Sequence, residues 1–147
     1  MKAKEPNVKY VEWQSPDELH EAALTWVSEL KFIKDEQHFL DDLMENYALQ
    51  LISEKIFEKS KKVVNDLAEE RKGLEPLLKE IINHHNALTI LVDGKDQPVE
   101  EKQYKEDHRA LVIKVSQYLN NYKDTKRKIF ELIKTIMKQG KQKRLLN

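Results

Sequence analysis

YKEDHRALVIKVSQYLNNYKDTKRKIFELIKTI, residues 104–136, decides the fold. Its Tyr104, His108, Leu111, Val115, Tyr118, Tyr122, Thr125, Ile129, Leu132 and Ile136 recur at alternating intervals of four and three residues. That period lays a stripe along one side of an α-helix, the seam by which helices pack side by side. Upstream the spacing appears twice more. One seam runs through Leu19, Ala23, Trp26, Leu30, Ile33, Gln37, Leu40, Met44, Tyr47 and Leu51. The other runs through Phe57, Ser60, Val64, Leu67, Arg71, Leu74, Leu78, Ile81, His85, Leu88 and Val92.

Local signals between the seams set the helix ends. Ser15-Pro16-Asp17-Glu18 is a helix start: Ser15 caps, Pro16 suits the first helical position, and Glu18 returns a bond to the cap. A single helix from 16 to 72 would be about 85 Å long, so the phase slip after Leu51 predicts a turn near 52–55. Gly73 and Pro76 predict a kink in the second helix; if that break is a full turn, the bundle has four unequal helices. Asp93 to Pro98 is a turn. The third helix is expected to run from Pro98 to about Gly140, with its lysines well placed against the dipole. The expected architecture is all-α: an antiparallel up-down-up bundle of three long helices over 15–140 with coiled-coil-like packing. An N-terminal arm, 1–14, precedes it, carrying Val8, Tyr10, Val11 and Trp13, and a basic frayed tail, 141–147, follows it.

Composition agrees. Charged residues make up 35% of the 147-residue chain, and glycine and proline are scarce, as suits long helices. A chain of this length is one domain by default. It has no cysteine, so neither a disulfide framework nor a thiolate metal site is available, which is compatible with a cytoplasmic location. The opening residues lack the apolar run of a secretory signal, and no stretch approaches the roughly 18 apolar residues of a membrane span. Charge is distributed unevenly despite a net of zero. Residues 15–54 hold ten acids against two lysines, a net of −8; residues 122–147 hold nine bases against two acids, a net of +7. The preferred reading is that the two ends of the chain lie side by side and their fields cancel.

The exceptions to the period carry the functional expectations. Phe32 and Phe39, seven apart, fall on the face of the first helix away from its seam, with Leu24 elsewhere on the outer surface. Ala22, Val27, Leu43 and Ala48 widen the apolar stripe itself. A helix apolar beyond one face is buried on more than one side, by the 1–14 arm or by another chain. Gln37 and Arg71 are expected to face each other near Tyr118 and Tyr122, as a polar layer that fixes register. Arg71 then needs a counter-charge, from Glu36, Asp41 or Glu70. His85 is expected level with His108, with His20 and His84 nearby, at one end of the bundle.

Such a histidine cluster is how bundles build iron or zinc sites, but the Glu-x-x-His pattern fails here; only Asp35–His38 has that spacing. The bases from Lys123 to Arg144 would bind nucleic acid only through phosphates, since Tyr118, Tyr122 and Phe130 lie on or beside the seam. No phosphate loop or nucleophile elbow occurs. No catalytic, cofactor-binding or metal-ligand residue is therefore assigned, and no cofactor is expected. The expected function is non-enzymatic: protein–protein contact or self-assembly through Phe32 and Phe39. A metal-binding bundle and a weak binder of nucleic acid or anionic surfaces are the alternatives.

Overall fold

The computed structural model describes residues 11–53, 55–93 and 98–146, all helix, turn or short connection. A 3-10 turn, Val11–Trp13, leads into α1 (Pro16–Asn46). A one-turn helix, α2 (Ala48–Leu51), follows, then α3 (Phe57–Asp93) and α4 (Pro98–Leu146). No strand occurs among the described residues. The architecture is an all-α bundle of three long helices plus the short α2.

Each boundary has a local cause. The Ser15 hydroxyl oxygen accepts from the Glu18 backbone N–H at 3.2 Å and donates to the Glu18 carboxylate at 3.2 Å. This fixes the start of α1 at the expected cap, with Pro16 in the first turn. α1 breaks at Tyr47, a step the sequence did not signal, before the turn expected after Leu51. α3 is continuous through Pro76, as expected of the second helix, and the alternative of a full turn at 73–76 does not occur. Gly73 and Pro76 are exposed, while Leu74, Leu77 and Leu78 face inward. The Lys72 carbonyl that loses its donor to Pro76 therefore lies on the wet side, where water replaces the bond. Packing of the three leucines then holds the helix through the interruption. α4 also departs from expectation: it continues through Gly140 to Leu146, so the segment expected to fray is its last turns. Residues 94–97 of the turn before it lie outside the described residues.

Cross-helix contacts give the topology. Lys34 pairs with Glu75 and Asp41 with Arg71, so numbers rise on α1 as they fall on α3. Lys114–Glu80 and Thr125–Glu70 show the same relation between α3 and α4. Trp26–His108 and Glu36–Tyr122 show α1 and α4 running parallel. The core threads all three helices and includes Leu30, Leu40, Leu67, Leu74, Ile81, Val115 and Ile129. α3 packs extensively on both neighbours, whereas α1 and α4 touch far less. Val11 docks into a second small cluster with Leu19, Leu88 and Tyr104. Trp13 of the same arm is exposed. Val8 and Tyr10 lie outside the described residues.

Candidate interaction surface

The seams of α1 and α4 face inward as their spacing requires. The seam of α3 does not, and the polar layers change with it. Its buried positions are Ser60, Val63, Leu67, Leu74, Leu77, Leu78, Ile81, His84 and Leu88. Val64 is exposed, and so is Arg71. The stripe shares Ser60, Leu67, Leu74, Leu78, Ile81 and Leu88 with the expected one, adds Leu77, and takes the preceding residue at Val63, Glu70 and His84. Doublets explain the ambiguity: Val63-Val64, Leu77-Leu78 and His84-His85 satisfy either phase. Contact with His108 and Tyr104 of α4 selects His84 of the histidine pair, and Val63 is the buried member of the valine pair. Glu70, not Arg71, therefore enters the middle layer, and Arg71 moves to the rim to pair with Asp41.

That middle layer joins all three helices. Gln37 Nε2 donates to the Tyr118 hydroxyl at 3.0 Å, and that hydroxyl donates to the Glu70 backbone carbonyl at 2.6 Å. Thr125 Oγ1 donates to Glu70 Oε1 at 2.9 Å, while Glu70 Oε2 is buried with no partner among the described residues. Burial raises the Glu70 pKa to about 7, against the Thr125 bond that lowers it. Asp66 and Asp124 raise it further. Beside Glu70 lies an open cleft of about 420 Å³, lined by Asp66, Gly73, Tyr118, Asp124 and Thr125. On the α1 side, Glu36 Oε1 accepts from the Tyr122 hydroxyl at 2.6 Å and from Lys126 Nζ at 3.0 Å. Burial pushes the Glu36 carboxyl up, but these two donors prevail and hold it below the usual range.

Four of the five histidines gather at one end, as two pairs. His84 Nε2 and His108 Nδ1 are 3.0 Å apart, and both rings are buried. Tyr104 stacks on His84 with centroids 4.0 Å apart, and Trp26 stacks on His108 at 4.9 Å. His20 and His85 form a separate pair at 4.4 Å. His84, not His85, thus meets His108. Desolvation lowers both buried pKa values, that of His108 to about 4; Asp107 and Glu80 oppose the shift at His84. Among the described residues no group of three or more histidines and carboxylates is arranged to hold a metal ion. The His84–His108 hydrogen bond occupies one ring nitrogen on each side, and aromatic rings rather than carboxylates fill the space around it.

Outside, one face stands apart. Phe32 is 65% exposed and Phe39 57%, as their positions off the seam require. On α4, Phe130, expected on or beside the buried seam, is 47% exposed, and Met137 is 57% exposed. All four lie along the line where α1 meets α4. Phe32 and Phe39 flank Glu36 at four and three residues, and Phe130 follows Lys126 by four, so each sits one turn from the Glu36–Lys126 bridge. Leu43 is half-buried and packs against the core beside them. Among the arm's described residues, Val11 docks at the histidine end. Residues 134–144 of α4 add exposed Lys134, Lys138, Lys141, Lys143 and Arg144.

Compared with known protein families, with curated proteins and with solved structures, the chain matches none. No helix among the described residues is long and apolar enough to cross a membrane.

Proposed function

We propose that this bundle is a non-enzymatic interaction protein, acting through the face where α1 and α4 meet. The observation that carries the reading is the exposure of Phe32, Phe39, Phe130 and Met137 on the side where α1 meets α4, the three phenylalanines each one turn from the Glu36–Lys126 bridge. Isolated exposed apolar residues are ordinary, but four of this size along one groove form the kind of patch that marks a contact site. The groove exists because α3 fills its own contacts with both neighbours and α1 touches α4 only lightly. The absence of cysteine suits a reducing compartment, and the reading places the bundle in the cytoplasm.

A photo-crosslinking residue at Phe39, compared with one at the exposed Lys61 of α3, tests the reading in the cells that make the protein. Protein adducts from position 39 and few from position 61 are expected. Equal yields, or none from position 39, contradict the reading.

A further inference from the structure

The charges bordering the apolar groove are sorted by helix. On α1 the exposed stripe reads Phe32, Asp35, Phe39, Asp42; on α4 it reads Lys123, Phe130, Lys134, Met137. Apolar positions seven apart alternate with acids on one helix and with bases on the other. Among the described residues, Asp35, Asp42, Lys123 and Lys134 make no ion pair. They look outward on either side of the Glu36–Lys126 bridge, which is the ion pair joining the two helices.

We infer that this face binds a second copy of the same chain, about a two-fold axis parallel to the helices. The inference rests on the interaction reading above and names the partner. Such an axis lays α1 of one protomer along α4 of the other, running in the same direction, and does so twice. The alternative two-fold, perpendicular to the helices, would set acid against acid and base against base. Levels agree as well. Glu36 lies level with Tyr122 and Lys126, so Asp35 comes level with the partner's Lys123. Asp42 falls about 6 Å along the axis from the partner's Lys134, a span its long side chain reaches. Phe39 then lies within one turn of the partner's Phe130, while Phe32 and Met137 carry the apolar face toward its two ends. The face is about 30 Å long, from the helical rise, and two helices or about 20 Å wide. That footprint approaches the roughly 800 Å² per partner of a standard stable interface.

Complementary charge reversal tests this directly. One variant carries Asp35→Lys and Asp42→Lys; the other carries Lys123→Glu and Lys134→Glu. All four sites are exposed, and circular dichroism verifies that each variant is folded. In sedimentation at micromolar concentration, wild type is expected at twice the 17.4 kDa chain mass and each variant alone at the single mass. An equimolar mixture of the variants is expected to return to twice the mass, because each then offers what the other lacks. A monomeric wild type overturns the inference. So does a mixture that stays monomeric, or a variant that remains dimeric alone. A monomeric wild type that still gives adducts to a different protein from position 39 would sink the second copy and leave the interaction reading standing. A monomer without adducts would sink both.

Discussion

α3 and the α1/α4 groove are built from the same kind of residue and treat it in opposite ways. α3 lies between two neighbours and buries leucines, an isoleucine and even a glutamate and a histidine against them. The groove leaves two phenylalanines of α1 and one of α4 more than 45% exposed. Three helices in this arrangement close two interfaces well and leave the third partly open. Apolar residues in the first two stabilise the fold, while those along the third are available for binding.

The largest expected effect separates the two directly. Ile81 is fully buried on α3, so Ile81→Ala should cost about 2–5 kcal/mol in chemical denaturation. Phe39→Ala, measured at concentrations too low for association, should stay within about 0.5 kcal/mol of wild type. Comparable losses at both sites would erase the distinction.

A second substitution sharpens it at the polar layer. Tyr118→Phe removes the hydroxyl between Gln37 and the Glu70 carbonyl and leaves both groups short of a partner. A loss of about 1–3 kcal/mol is expected, with the sedimentation mass the same as that of wild type, because the layer lies inside the bundle. A change in mass without a change in stability would place Tyr118 in the wrong region.

The two polar layers should also give the closed interfaces a pH dependence with opposite signs. The Glu70 pKa rises from 4.5 to about 7 on folding, so its contribution is complete below 4.5 and is lost as pH rises through about 7. The His108 pKa falls from 6.5 to about 4, so its contribution is present above 6.5 and is lost as pH falls through about 4. Glu70→Gln should therefore be more stable than wild type at pH 8, with the advantage shrinking toward pH 5. His108→Gln should flatten the acid limb between pH 6.5 and 4. Denaturation at four pH values checks both, and parallel profiles for all three proteins would remove this account of the layers.

Gly73→Ala is the smallest change. A Cβ there would lie 3.7 Å from Tyr118 Cε2, an ordinary contact, and the position is helical. A gain of about 0.5–1 kcal/mol is expected from helix propensity, again in the unfolding midpoint.

The sequence showed most of the fold because the seams of α1 and α4 have little phase ambiguity. From Leu19 to Leu51 and from Tyr104 to Ile136 nearly every seam residue is buried. It failed on α3 where adjacent residues were equally apolar or equally polar. Val63-Val64 and His84-His85 can each turn either member inward, and only the packing of a third helix chooses. Glu70 and Arg71 changed roles for the same reason. Pro76 left a full turn open as an alternative, and the leucines around it bury enough surface to keep the helix intact. Of the candidate surface, Phe32 and Phe39 were visible as departures from the period. Phe130 and Met137 were not, because they border the α4 seam closely enough to pass for its flank. Their exposure follows from how lightly α1 covers α4, a property of three helices together.

The central claim is that the open α1/α4 groove serves contact and not folding. The most direct measurement is the sedimentation mass of the Phe32→Ser/Phe39→Ser double variant, with its unfolding midpoint measured at low concentration. The account predicts a fall from twice the chain mass to the single mass and an unchanged midpoint. A mass equal to that of wild type, or a midpoint lowered like that of a core variant, would contradict it.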